Sequence, residues 1–90
     1  DAVKIVLAIE GQSYSSEEFS NTLQQYGLSG KSRIDFIIGG SLGLDEDIIK
    51  HADLLLSFSQ FTFPHQLMRL ILLEQIYRAF KIAKGEPYHK

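Results

Sequence analysis

Ninety residues with a formal charge of -2, no cysteine and 44% apolar side chains describe one small globular domain, too apolar for a disordered segment. A chain this short hides only about 60–65% of the surface its unfolded form exposes, so its core is marginal unless something else covers it. The absent cysteine excludes disulfides, thiolate zinc sites and a cysteine nucleophile and fits a reducing cytoplasm; the longest aliphatic run, Leu70 to Leu73, is far short of a membrane span, and no charged-then-apolar leader opens the chain, so a soluble protein is expected.

Val3 to Ile9 (VKIVLAI) is a nearly continuous apolar run that ends at Glu10-Gly11, the pattern of a strand buried on both faces of a parallel sheet. It begins almost at residue 1 without an initiator methionine, and domains seldom start inside a central strand; a fragment, or neighbouring elements elsewhere, is expected. Ser15 with Glu18 reads as a capping box, and Phe19, Thr22, Leu23 and Tyr26 recur at helical spacing until Gly27, where the helix is expected to stop. Ile34 to Ile38 (IDFII) reads as a second strand that runs into GGSLGL. Asp45 caps a brief helix through about Ala52, and Leu54 to Ser59 (LLLSFS) reads as a third strand. Strands alternating with helices predict a parallel α/β sheet whose ligands collect beyond the carboxyl ends of the strands, at the loops Glu10 to Ser15, Gly39 to Leu44 and Ser59 to Pro64.

The last helix is expected to start with Pro64 at its first position and to run to about Ala83, before Gly85 and Pro87. With residues about 100° apart, its apolar side chains from Leu67 to Ile82 fall on nearly every side, and Glu74, Arg78 and Lys81 form one narrow polar stripe. One side can cover the sheet; the other needs a second surface, most simply another copy of the chain, so a homodimer is expected. Arg69 projects opposite the polar stripe, where an unpaired guanidinium is costly, and it either pairs across the dimer or awaits an anionic ligand. Residues 1–63 hold four Lys/Arg against nine Asp/Glu, whereas residues 64–90 hold five against two, so a polyanion would be met by the final segment, unless those cations serve only the helix dipole.

Several motifs carry two readings each. IIGGSLG lacks the GxGxxG spacing and the later acidic residue of a dinucleotide fingerprint; it is a tight turn, or a place where backbone approaches a ligand closely. In SFSQFTFPH the aromatics Phe58, Phe61 and Phe63 are core, or with their interleaved hydroxyls they serve a purine ring. His51 reads as surface, and His65 as a helix-start group or a ligand contact. His89, in a tail that packing does not require, is frayed or functional. The three histidines lack metal-ligand spacing, and no Ser/His/Asp set is argued from order alone.

LAIEG at 7–11, FIIGGSLGL at 36–44, LSFSQFTFPHQLMRLILLEQIYRAFKI at 56–82 and GEPYHK at 85–90 together resemble the RlmH family, the ribosomal RNA large subunit methyltransferase H group of SPOUT methyltransferases. The resemblance spans essentially the whole chain, with IGG, TFPHQL, EQIYRA and PYHK in a family-specific order. It implies a single SPOUT-type domain over residues 1–90, α/β with a parallel sheet and a C-terminal trefoil knot, that lacks the strand-helix portion other members carry ahead of LAIEG. It further implies a cytoplasmic homodimer that transfers a methyl group from S-adenosyl-L-methionine to N3 of a pseudouridine in 23S ribosomal RNA of the assembled ribosome, with no metal and no membrane.

By motif match the cofactor contacts are Leu7, Gly39, Gly40, Phe58, Ser59, Gln60, Phe61, Thr62 and Phe63. His89 and Tyr88 would position or deprotonate the target base, and Arg69, Arg78 and Lys90 would meet RNA or the partner subunit, with Arg69 in the catalytic group and Glu74 orienting an arginine. A non-catalytic knotted dimerisation or RNA-binding module is the competing expectation for a shortened chain. A redox or nucleotide-binding α/β fragment is a third, disfavoured by the missing fingerprint.

Overall fold

The computed structural model describes residues 2–39 and 44–89; Gly40 and Lys90, both expected in the site, lie outside the described residues. The elements run β1 (Val3–Ser13), α1 (Ser16–Leu28), β2 (Ile34–Ile38), α2 (Glu46–Lys50), β3 (Leu54–Ser57) and α3 (His65–Ala83). The three strands form one parallel sheet in the order β2-β1-β3.

β1 is central, as its apolar run requires. Ile5 and Val6 point to opposite faces and neither exposes any surface. On one face Val3, Ile5 and Leu56 meet Phe19 of α1 and Ala79 of α3, with Leu23, Tyr26, Phe36 and Ile76 packed around them. The Phe19 and Phe36 rings meet edge to face with centroids 6.3 Å apart. The two long helices are tied by the Ser20 hydroxyl, which is buried and donates to the Ala79 carbonyl at 2.7 Å, and by Ser16 Oγ donating to Gln75 Oε1 at 2.7 Å.

Local chemistry sets the ends of the elements. The Glu18 amide donates to Ser15 Oγ at 3.0 Å while the Ser15 amide donates to Glu18 Oε1 at 2.8 Å, a complete capping box. α1 ends one residue beyond Gly27. Gly30, at φ 86°, takes the left-handed position, and the Lys31 and Gly30 amides reach back to the Tyr26 and Gly27 carbonyls, so the stop expected at Gly27 belongs to Gly30. α3 ends in the same way on Gly85, at φ 69°. At its start Pro64 is the N-cap rather than the first helical residue: its ψ of 143° is extended, and its carbonyl already accepts from the Met68 amide. β3 stops at Ser57, two residues before its expected end, where Ser57 Oγ donates to the Ser59 carbonyl and Ser59 Oγ accepts the Phe61 amide, a local turn in place of ladder pairing.

β1 departs from expectation in extending to Ser13. Leu7 and Gln12 both align with Leu56 of β3, so residues 8–11 make an excursion out of the ladder. The strand returns through Gly11, where a Cβ would lie 2.7 Å from the carbonyl carbon and oxygen of Leu55 and 2.8 Å from the Leu56 nitrogen. All three neighbours are backbone atoms and cannot turn away as a side-chain tip does. Gly11→Ala is therefore expected to lower stability by about 1–3 kcal/mol, the usual cost of overpacking, read as a lower denaturant midpoint. A midpoint equal to that of the parent chain would show that the approach is looser.

Candidate functional site

The mid-strand excursion of β1 forms one wall of a cavity of about 570 Å³ that lies at the carboxyl ends of β2 and β3. Ala8, Ile9 and Glu10 come from β1, Ile38 and Gly39 from the end of β2, and Leu56 through Ser59 from the end of β3; Pro64, His65 and Met68 of the α3 entry complete it with Leu44 and Ile49. The walls are mostly apolar, and Glu10, Ser57, Ser59, Thr62 and His65 supply the polar groups. Pro64 gives α3 no side-chain cap.

Of the residues expected to contact a cofactor, Leu7, Gly39, Phe58, Ser59, Phe61, Thr62 and Phe63 line this cavity, and Gln60 does not. Phe61 is 77% exposed, so that ring is an open lip rather than core. His65 lines the cavity and Arg69 lies one helical turn farther on, exposed and, among the described residues, in no ion pair. His51 is on the surface, its Nδ1 2.8 Å from the Asp47 carbonyl.

Tyr88 and His89 do not line that cavity. The closing segment folds back along α3 of the same chain, where Arg78 organises it. Its guanidinium donates to both carboxylate oxygens of Glu74, at 3.3 and 2.7 Å, and a third nitrogen lies 2.9 Å from His89 Nδ1. The Tyr88 hydroxyl donates to Glu74 Oε2 at 2.9 Å, its ring stands edge-on to Tyr77 with centroids 5.0 Å apart, and Arg78 lies 4.9 Å over it. His89 Nε2 lies 2.9 Å from Glu17 Oε2 near the start of α1. The expected pairing of Glu74 with Arg78 is thus present, and Arg78, expected to reach RNA or a partner subunit, is occupied within its own chain.

The hydrogen bond from Arg78, ahead of the smaller opposing effect of burial, holds the Glu74 carboxyl below its ordinary value. The bond to Glu74, assisted by burial, raises the Tyr88 phenol, which stays protonated at neutral pH. At Glu17 a backbone hydrogen bond at the start of α1, then the His89 contact, lower the carboxyl. Among the described residues no group of three His, Asp or Glu side chains is arranged to hold a metal ion, and no helix is long and apolar enough to cross a membrane.

Reading the sequence missed Met68 and Ile49 in the cavity and Glu17 and Gln75 in the helix contacts, while Glu10 and Leu44 were expected there only as ends of ligand-gathering loops. Glu10-Gly11 closing a strand-like run carries the signal of a bulge. Glu17 carries none, since its partner is 72 positions away.

A family described as a predicted SPOUT methyltransferase matches residues 1–89. The ribosomal RNA large subunit methyltransferase H of Bifidobacterium adolescentis is 64% identical over 90 residues, which are 100% of this chain and 57% of the relative. The proteins of the same description from Enterococcus faecalis and Shouchella clausii are each 59% identical, over 94% and 100% of this chain and 54% and 57% of their own length. The chain thus spans a little over half the length of the curated relatives it matches.

The folded-state carboxyls of Glu74 and Glu17 lie below their unfolded values, so their contribution is complete above the unfolded value and is lost as pH falls through the folded one. Acidification below the ordinary carboxylate range, about pH 4, is expected to free the tail before the core unfolds, read as Tyr88 ring signals moving to free-peptide positions while Phe19 signals hold. Glu74→Ala should produce that release at neutral pH, with amide exchange at Tyr88 faster by on the order of fivefold. Unchanged Tyr88 signals in the variant would mean that the tail is held by ring packing alone.

Proposed function

The chain belongs to the predicted SPOUT methyltransferase family, and on that premise we propose that it methylates N3 of a pseudouridine in 23S ribosomal RNA of the large subunit, using S-adenosyl-L-methionine, as a cytoplasmic homodimer. Residues 1–90 are read as one domain, the C-terminal, knotted portion of the SPOUT fold. The observation that carries the reading is the convergence of Leu7, Gly39 and the Phe58–Phe63 segment on one cavity beyond the carboxyl ends of a parallel sheet. The names of the relatives supply the reaction class and the RNA.

The residues fit the methyl donor. A volume of about 570 Å³ suits a ligand of that size. The apolar walls from Leu7, Ile38, Leu56 and Phe58 suit a purine ring, while the Glu10 carboxylate and the Ser59 and Thr62 hydroxyls suit ribose hydroxyls and an ammonium group. When bound, S-adenosyl-L-methionine supplies a sulfonium methyl open to in-line attack. Main-chain groups of the strand-end loops would hold and orient it, which is where much of the rate would arise.

N3 of a uracil ring carries a proton that must leave before or during attack. Of the two tail residues, Tyr88 is held protonated by Glu74 and serves as a positioning group. His89 is the candidate base, with its Nδ1 now 2.9 Å from Arg78. Arg69, exposed one turn beyond His65, is suited to an RNA phosphate or to the partner subunit. Arg78 and Lys90 complete the proposed RNA contacts, Arg78 by exchanging its contact with the tail for a phosphate.

The outward stripe of α3 supports the dimer: Leu70, Leu73, Tyr77 and Phe80 are each more than half exposed on one side of a helix whose other side is core. That stripe lets the tail of one subunit complete the cleft of the other. Tyr88 and His89 lie away from the cavity within this chain, which supports the second reading, a knotted dimerisation or RNA-binding module without catalysis.

Calorimetric titration with S-adenosyl-L-methionine separates the two: saturable binding favours the enzyme, and RNA binding without it favours the module. His89→Ala is expected to slow single-turnover methylation by about 10²–10⁴ with donor affinity unchanged; an unchanged rate removes His89 from the chemistry. Leu73→Asp should convert the dimer to monomer in sedimentation equilibrium, and a parent chain that sediments as a monomer at micromolar concentration overturns the dimer.

A further inference from the structure

We propose that Glu17, in the first turn of α1, is a positioning residue for His89: it latches the closing tail to α1 and fixes the imidazole as the neutral tautomer with its proton on Nε2. The inference rests on the methyl-transfer reading only where it concerns rate. Glu17 lies outside the stretches that carry the family resemblance. Its carboxylate is the sole long-range anchor of the tail on α1 among the described hydrogen bonds, joining positions 72 residues apart.

Hydrogen-bond polarity fixes the proton. Arg78 has only donors to offer, so His89 Nδ1, 2.9 Å away, must be the acceptor and carry no hydrogen. The ionised Glu17 carboxylate has only acceptors, so His89 Nε2, also at 2.9 Å, must be the donor. One ring between an obligate donor and an obligate acceptor has one neutral tautomer and no room for the imidazolium while both contacts stand. The charged and titratable groups that face the ring are Glu17 from α1 and Arg78 from α3, with Glu74 bonded to Arg78 and Tyr88 beside it in the tail.

The consequence for chemistry is directional. A carboxylate on one imidazole nitrogen orients the ring, makes the other nitrogen the proton acceptor and stabilises the imidazolium that forms when it accepts. Here the accepting nitrogen is Nδ1. It becomes available when Arg78 turns from it toward another acceptor, while Glu17 keeps the ring in place. In the step itself the proton of pseudouridine N3 passes to Nδ1, the N3 electron pair forms the bond to the methyl carbon, and the sulfur retains the electrons of the broken bond.

Long-range proton–nitrogen correlation spectra of His89 at neutral pH, without RNA or methyl donor, test the assignment. The parent chain should show a protonated Nε2 and an unprotonated Nδ1. Glu17→Ala should give a mixture of tautomers and a mobile tail, whereas Glu17→Gln, whose amide oxygen still accepts, should restore the Nε2–H form. Glu17→Ala should also lower the single-turnover methylation rate roughly tenfold or more, with S-adenosyl-L-methionine affinity within about twofold. A proton on Nδ1 in the parent chain, or an unchanged tautomer in Glu17→Ala, overturns the proposal. An inactive parent chain overturns the methyl-transfer reading instead, and the role of Glu17 then stands or falls on the spectra.

Discussion

The return of β1 to the sheet at Gly11 is the contact on which the site depends. Leu56 faces both Leu7 and Gln12, so the residues between are pushed out of the ladder and the strand re-enters against the Leu55 and Leu56 backbone with no space for a side chain. Without that re-entry, Ala8, Ile9 and Glu10 would continue the strand and the wall of the cavity would be missing. The same re-entry carries β1 to Ser13, close to the Ser15 cap, and so fixes where α1 begins. α1 begun there sets Phe19 on Ile5 and Ser20 on the Ala79 carbonyl, and these contacts position α3. A glycine needed for close approach thus governs both the cavity and the helix pair beside it.

α3 meets two demands with one sequence. Ala79 and Ile76 join the sheet's core cluster, Leu72 is buried, and the small Ala79 admits the Ser20 hydroxyl to its carbonyl at 2.7 Å. Leu70, Leu73, Tyr77 and Phe80 face outward, an area that water does not favour and that no other described element covers. Between the two faces Glu74, Arg78 and Lys81 form a narrow polar seam, and the chain folds its tail onto that seam: Tyr88 on Glu74, His89 on Arg78 and Glu86 on Lys81. The tail is thereby aligned beside the outward stripe.

The sequence disclosed what local chemistry determines. The run VKIVLAI marked a central strand because burial on both faces excludes alternation, and Ser15 with Glu18 marked a helix start because the reciprocal bonds span only three residues. The alternating rings and hydroxyls from Phe58 to Phe63 fitted core and ligand wall alike, and it was the family resemblance that named them as contacts; all but Gln60 line the cavity. Opaque features depended on distance along the chain or on competition between near-equal local partners. Gly27 and Gly30 both fit a helix stop, and two back-bonds to the last turn decide for Gly30. Glu17 meets His89 only after two helices pack, and no periodicity in α1 reports that meeting.

The basic excess of the final segment has a narrower meaning in three dimensions than in the count. Arg78 is neutralised by Glu74 and Lys81 by Glu86, so two of the five cations belong to internal pairs at short range. Exposed pairs of this kind contribute little to stability, and their value is geometric: they hold side chains in register. What remains accessible is local, with Arg69 near the cavity and Lys84 at the far end of α3. A polyanion approaching such a surface is not drawn by a uniform field, which salt would screen beyond about 8–10 Å. Among the described residues it would be met by single cations, and Arg78 would join them by leaving His89. On the proposed reading, a phosphate bound at Arg78 would release the His89 Nδ1 that Arg78 now faces, so that recognition of nucleic acid and exposure of the proposed proton acceptor would be one event.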